Sequence, residues 1–252
     1  MASYDLYDRE LLLYGSKRDE VLALGEVQQY GIDSFGDPDY VRIYGLRPEE
    51  WYARGIRLLG RTAVECTRDD LARLIGRDVA QLAGAPSMNG PLTVIDPFAG
   101  SCNTIFWILK HLPGAAGLAF ELDDRVFELT RSNLTSLNSP IELVHGDYRQ
   151  LLQDRLPLTG TFAYFVAPPW GHALDERNGL DLARTQPPIG DVVDLASGLR
   201  PQSRTVFAVQ IFERVEETSL RAVRDKFASS ELRIYGMNEA GKNHGILLGT
   251  RS

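Results

Sequence analysis

The rhythm of apolar positions changes near residue 90. Beyond that point short apolar runs alternate with helical stripes, as strands joined by crossover helices do. The runs lie at 92–96, 116–121, 141–145, 162–166 and 205–211. Ile105, Ile108, Leu109 and Leu112 form the stripe after the first run, and Val126, Phe127, Thr130, Leu134 and Leu137 that after the second. Both have the three-four spacing of one packed helix face. Further helices are predicted over 189–199 and around Leu220, Val223 and Phe227. Two last strands, 232–235 and 245–249, are joined by too few residues for a helical crossover, so they should pair antiparallel. The pattern predicts an α/β domain over residues 91–252, with seven mostly parallel strands, helices on both faces and a C-terminal antiparallel hairpin.

Residues 1–90 read differently, as a helical, aromatic-rich appendage. Tyr4, Tyr7, Tyr14, Tyr30, Tyr40 and Tyr44 precede Trp51 and Tyr52. Gly31, Gly36 and Gly45, with Asp37 and Pro38, are expected to break the middle into loops. One helix is predicted from Pro48 through Trp51 and Gly55 to Leu58 and Leu59. A second should start with Thr67 as its cap and Asp69 and Asp70 in its first turn, and carry Leu71, Leu74 and Ile75 on its apolar face. Residues 84–90 read as a linker. The appendage is expected to pack on the sheet, to close over a ligand, or both.

The chain of 252 residues is 44% hydrophobic and 24% charged, enough for a core without staples. Cys66 and Cys102 stand in unrelated contexts and suggest neither a disulfide nor a zinc site. His111, His145, His172 and His244 are scattered and are expected at surface positions, with no metal set among them. A net charge of −7 argues against broad nucleic-acid binding, which needs clustered Lys and Arg, but leaves room for a local basic patch. No apolar run approaches the ~18 residues of a membrane span. Residues 1–5 carry no basic, apolar signal pattern, so a cytoplasmic protein is expected.

The chemistry is concentrated in Val94-Ile95-Asp96-Pro97-Phe98-Ala99-Gly100-Ser101-Cys102-Asn103-Thr104. A buried strand here meets a glycine turn and a helix start, with Ser101 or Asn103 as the expected cap. Such a turn makes a nucleotide-sized pocket at the carboxyl end of a strand. It is neither Gly-x-x-x-x-Gly-Lys-Ser/Thr nor Gly-x-Gly-x-x-Gly. Glu121 ends the second strand, 25 positions after Asp96, where a carboxylate can accept from both ribose hydroxyls of a nucleoside. Gly146-Asp147-Tyr148 follows the third strand. Ala167-Pro168-Pro169-Trp170-Gly171 follows the fourth. Two prolines there end strand pairing and fix the backbone, which should aim the carbonyls of Ala167 and Pro168 into the crevice. With the flat face of Trp170 they can hold a planar amine. The polar, aperiodic segment 172–188 is expected to be a substrate loop, with Asp175, Glu176, Arg177 and Arg184 as candidate contacts.

The turn Asp96-Pro97-Phe98-Ala99-Gly100 resembles motif I of class I S-adenosylmethionine-dependent methyltransferases, in the Asp-Pro-Phe-x-Gly-x-Gly form of amino methyltransferases, with Cys102 at the second glycine. Ala167-Pro168-Pro169-Trp170 resembles their motif IV, Asp/Asn/Ser-Pro-Pro-aromatic, with Ala167 at the polar position. The Pro-Pro-Trp-Gly version is similar to the trimethylguanosine synthase-like family of RNA guanine-N2 methyltransferases, although His172-Ala173 follows Gly171 in place of that family's glycine and proline. Trp51, Arg54 and Leu58, followed by Thr67, carry the likeness upstream, so that it spans roughly 51–171. It implies a Rossmann-like domain with S-adenosyl-L-methionine as cofactor. Asp96 would order the turn near the methionine end, Glu121 would hold the ribose, and Asp147 and Tyr148 the adenine. Thr67, Pro97, Phe98, Ala99, Gly100, Asn103, Thr104, Leu122 and Ala167 are grouped with the cofactor. Ala167, Pro168, Pro169 and Trp170 would hold the acceptor amine, Trp170 by stacking. The expected acceptor is guanine N2 in RNA. A small amine-bearing metabolite is the alternative, and a non-catalytic binding module of the same fold is a third reading.

Overall fold

The computed structural model describes residues 6–84, 90–175, 177–236 and 244–251. Residues 85–89 of the expected linker, Glu176 and the connector 237–243 lie outside them. The appendage opens with a π-helical turn, Glu10–Tyr14, followed by α1 (Leu24–Phe35), α2 (Pro48–Ala53) and α3 (Gly60–Glu65). It has a core of its own, in which Leu12, Leu22, Val27, Ile43, Trp51 and Ile56 are buried together. The Trp51 indole N–H is satisfied inside this core by the Val41 carbonyl at 3.0 Å.

Two expectations fail here for local reasons. Gly31 makes no loop; it lies within α1, where a Cβ would stand 2.2 Å from the Asp37 carbonyl oxygen. Glycine is therefore what lets the chain fold back along the helix after Gly36. The helix predicted from Pro48 to Leu59 stops short, and a separate helix that the sequence pattern did not suggest follows it. The first ends at Ala53, Gly55 takes a left-handed φ of +81°, and α3 starts at Gly60, packed against the Lys17 carbonyl.

Next comes α4 (Asp69–Ala83), then β1 (Leu92–Asp96), α5 (Asn103–His111), β2 (Ala116–Glu121), α6 (Asp124–Ser136), β3 (Glu142–His145), α7 (Tyr148–Arg155) and β4 (Thr161–Val166). A separate hairpin, β5 (Leu174–Asp175) and β6 (Gly179–Leu180), leads to α8 (Ile189–Leu199), β7 (Thr205–Phe212), α9 (Glu217–Arg224), β8 (Ser229–Tyr235) and β9 (His244–Arg251). The main sheet has seven strands in the order β3-β2-β1-β4-β7-β9-β8. Every pairing is parallel except those of β9, which runs antiparallel to β7 and β8. The sheet is thus the one the strand pattern predicts.

Alternate residues of each buried strand serve opposite faces. Val94, Ala163 and Ala208 pack beneath α4 and α5 with Ile75, Ile105 and Ile108. Ile95, Tyr164 and Phe207 pack on the other side with Leu152, Val192 and Val193 of α7 and α8. The chain leaves β1 toward β2 and β3 on one side, then returns through α7 to add β4 on the other. That reversal opens a crevice at the carboxyl ends of these strands, where α/β sheets hold their ligands.

Candidate active site

Asp96 ends β1 and is only 2% exposed. One carboxylate oxygen accepts the Phe98 N–H at 3.0 Å and so shapes the turn. Burial, with Glu121 adding repulsion, pushes its pKa up to about 7. Gly100 has φ +48° and a Cβ built on it would meet nothing within 4 Å, so open space lies above the turn. Cys102 also takes a left-handed φ, +58°, and occupies the cap position of α5, which neither Ser101 nor Asn103 does. Cysteine therefore adopts the left-handed conformation that a glycine adopts without strain.

Glu121 binds this turn to the next. Its Oε2 accepts the Gly100 N–H and its Oε1 the Asp123 N–H, both at 2.9 Å. Each oxygen keeps a second lone pair for a ligand hydroxyl. Burial raises the pKa of this carboxyl. Leu122, beside it, is 67% exposed at the cavity rim. Asp147 caps α7 and pairs with the Arg149 guanidinium, which holds its carboxyl below the ordinary range. Tyr148 is buried, its ring edge-on to Phe98 at 5.3 Å. Both still line the cavity.

The opposite wall is the end of β4. Pro168 is buried, Pro169 exposed, and Trp170 half-buried. Trp170 stacks on His244 at a centroid distance of 5.7 Å and meets Phe212 edge-on at 6.3 Å. His244, expected at the surface, is thus part of the wall, because β9 pairs it with Phe212. The pairing of Val166 with Val209 also puts Gln210 of β7 beside Ala167. Gln210 Oε1 accepts from the Thr67 hydroxyl at 3.0 Å. Thr67 consequently does not cap α4; Arg68 holds that position without a side-chain bond.

These walls enclose one cavity of about 1340 Å³. The appendage forms its roof with Tyr14, Tyr30, Phe35, Tyr40 and Arg68. Phe35 and Tyr40 are stacked at 3.4 Å and the Arg68 guanidinium lies 3.6 Å from the Tyr40 centroid. The segment 172–188 contributes less than expected. It folds into the β5–β6 hairpin and buries Leu180, Leu182 and Thr185. Asp175 is spent on the N–H groups of Arg177 and Asn178, and Arg177 and Arg184 point to solvent. Leu174 and the segment's far end, Gln186 to Pro188, are what reach the cavity.

A buried polar knot fixes the roof to the turn. Asn103 Oδ1 accepts the Tyr44 N–H at 2.7 Å, and its Nδ2 donates to the Thr67 carbonyl and to Asp69. Asp69 also accepts from the Trp107 indole and the Gly45 N–H. The Tyr44 hydroxyl donates to the Ser101 carbonyl. Asn103 is thus fully engaged within the protein, and Thr104 is buried beside it. Asn103→Ala strands several buried groups and should cost about 3 kcal/mol, read as a lower midpoint in urea unfolding with an unchanged slope.

No protein-family model matches the chain, and no curated protein matches it. Solved structures do resemble it in fold, and that fold is the class I methyltransferase fold. The METTL16 methyltransferase domain aligns over 74% of this chain and 70% of its own, at 16% identity and a TM-score of 0.55. A human methyltransferase 10 domain containing protein aligns over 74% of this chain and 86% of its own, at 16% identity and a TM-score of 0.51. The N-terminal domain of human METTL16, solved in complex with SAH, matches 74% of this chain and 73% of its own, at 14% identity and a TM-score of 0.51.

Proposed function

We propose that this protein is an S-adenosylmethionine-dependent methyltransferase that methylates a planar amine. The observation carrying this is the meeting, across one cavity, of the Glu121-bridged turn and the Ala167–Trp170 wall. The residues present fit the cofactor. Glu121 offers two oxygens with spare lone pairs, Leu122 an exposed apolar surface for a ring, and Gly100 unobstructed space above the turn. A cavity of about 1340 Å³ exceeds the roughly 300–1,000 Å³ of a single-ligand pocket, which leaves room for an acceptor as well.

Bound there, the cofactor supplies an electrophilic methyl on a sulfonium centre. The protein's task is alignment, since the leaving sulfur departs neutral and needs no acid. No described backbone N–H donates to the carbonyls of Ala167 or Pro168, so both can accept from the amine and stabilise its developing positive charge. Trp170, braced by His244 and Phe212, stacks on the acceptor. Asp147 and Tyr148 lie at the adenine end; with the carboxyl of Asp147 engaged by Arg149, the Tyr148–Phe98 pair supplies an apolar edge there.

Guanine N2 in RNA is the acceptor the motif resemblance suggests. The cavity favours a small amine-bearing molecule. Its roof is aromatic, and three of its arginines, Arg18, Arg61 and Arg149, are already paired with Asp19, Asp123 and Asp147. Calorimetric titration with S-adenosylmethionine and S-adenosylhomocysteine, followed by labelled methyl transfer to total RNA and to a metabolite extract, tests both parts. Micromolar binding with label in the metabolite fraction is expected. Binding without transfer to either fraction would leave a binding module of the same fold.

Asp96 gives the site a pH dependence. Its folded pKa, about 7, exceeds the ordinary 3.8, so the ligand-free protein loses stability as pH rises between them. A cationic cofactor prefers the ionised carboxylate. Its affinity should therefore climb by up to about tenfold per pH unit below 7 and level off above. Titrations at pH 6, 7 and 8 check this, and Asp96→Asn should flatten the profile.

A further inference from the structure

The polar side chain that motif IV carries at its first position is missing here, because that position is Ala167. The neighbouring strand fills the place. The β4–β7 register runs from Phe162–Thr205 to Val166–Val209, so the next residue of β7, Gln210, stands beside Ala167 on the same face of the sheet. Gln210 is 9% exposed, and what it exposes lines the cavity. Its Oε1 is held by the Thr67 hydroxyl at 3.0 Å, which fixes the amide plane and leaves its nitrogen on the other side. That nitrogen makes no hydrogen bond with any described residue and is not sealed from the cavity. A buried strand rarely spends a position on an amide whose donors go unused.

We propose that Gln210 is the specificity-determining residue for the acceptor, and that it selects a planar amine flanked by a hydrogen-bond acceptor. The preferred class is an amino-substituted nitrogen heterocycle, in which a ring nitrogen or carbonyl lies beside the amine. The proposal rests on the methyltransferase reading above. The two recognition elements then divide the acceptor between them. The amine N–H groups point at the carbonyls of Ala167 and Pro168. The adjacent ring atom takes the Gln210 N–H. Trp170 covers the ring face. A simple aryl or alkyl amine has no atom for the second of these contacts and leaves the buried amide unpaired, a mismatch against which such sites discriminate strongly. Gln210 also sits at the root of the roof, since its partner Thr67 adjoins Arg68 of the roof and the Thr67 carbonyl accepts from Asn103. Recognition of the ring is thereby tied to the position of the roof.

The test uses the full chain, labelled S-adenosylmethionine and two groups of probes. One group is adenosine, guanosine, cytidine and 2-aminopyridine; the other is aniline and benzylamine, which lack the flanking acceptor. The wild type should label at least one member of the first group and neither of the second. Gln210→Leu should lose about 100-fold in kcat/KM toward the labelled probe while binding S-adenosylhomocysteine within about twofold of wild type and melting cooperatively. Gln210→Glu presents an acceptor in place of a donor, and should lose the probes whose amine is flanked only by acceptors while favouring guanosine, whose N1–H donates beside its amine. A merely structural role for Gln210 would not produce that inversion of probe preference. Equal labelling of aniline, or wild-type transfer by Gln210→Leu with cofactor binding intact, overturns the assignment of Gln210 alone. Failure of the wild type to bind S-adenosylhomocysteine overturns the methyltransferase reading and this one with it.

Discussion

Trp170→Ala should lower methyl transfer about 100-fold while changing cofactor affinity by less than about threefold. The two parts of that expectation come from different walls of the cavity. Trp170 stands at the end of β4, stacked on His244 and edge-on to Phe212, away from Glu121 and the Gly100 turn. Stacking on a ring contributes roughly 1–3 kcal/mol, and a displaced acceptor loses alignment on top of that. Single-turnover transfer with saturating cofactor measures the first part and calorimetry the second. Trp170→Phe, which keeps a flat face, should recover most of the rate. Cofactor affinity falling in step with transfer would remove Trp170 from the acceptor side. Unchanged transfer would remove the stacking role altogether.

Glu121→Ala should produce the mirror image, a loss of about 100-fold or more in cofactor affinity. Two charge-assisted hydrogen bonds to a ribose contribute roughly 1.5–3 kcal/mol each. The same carboxylate also fastens the Gly100 N–H to the Asp123 N–H, so its removal loosens the turn over which the cofactor lies. Glu121→Gln is the informative companion. An amide can accept through its oxygen alone, and its NH₂ must then face one of the two backbone N–H groups. It should bind between wild type and alanine. Micromolar binding by Glu121→Ala would mean that Glu121 only ties the two loops together.

Much of the fold was legible in the apolar rhythm because β-strands and amphipathic helices bury residues at fixed periods. The number of strands and the antiparallel pairing of β8 with β9 were readable from the runs and the short last connector, whereas the order of the strands, with β9 inserted between β7 and β8, was not. The appendage was harder to read. Gly31 looks like a loop former in sequence, yet it is buried within α1 because of the distant Asp37 carbonyl. Gly55, with its left-handed φ, turns the chain out of the expected helix early, and Gly60 starts an unexpected one where the Lys17 carbonyl leaves no room for a side chain. The segment 172–188 has no periodicity because its two strands are two residues each, too short to show one.

For the candidate site, the sequence by itself determined the parts that lie on a single turn. Asp96 to Gly100, Glu121 at the end of β2, and Ala167 to Trp170 after β4 are placed by local strand and turn chemistry, which proline, glycine and a terminal carboxylate encode directly. Only the tertiary structure decided what surrounds them. Gln210 reaches Ala167 through the register of two strands more than forty positions apart, and His244 reaches Trp170 through β9. Asn103, Asp69 and Tyr44 form one knot although the first and last are 59 positions apart. The roof of Tyr30, Phe35, Tyr40 and Arg68 faces the cavity because the appendage core and that knot dock it there. Contacts of this kind are set by side-chain packing between elements distant in sequence, and no spacing along the chain encodes them.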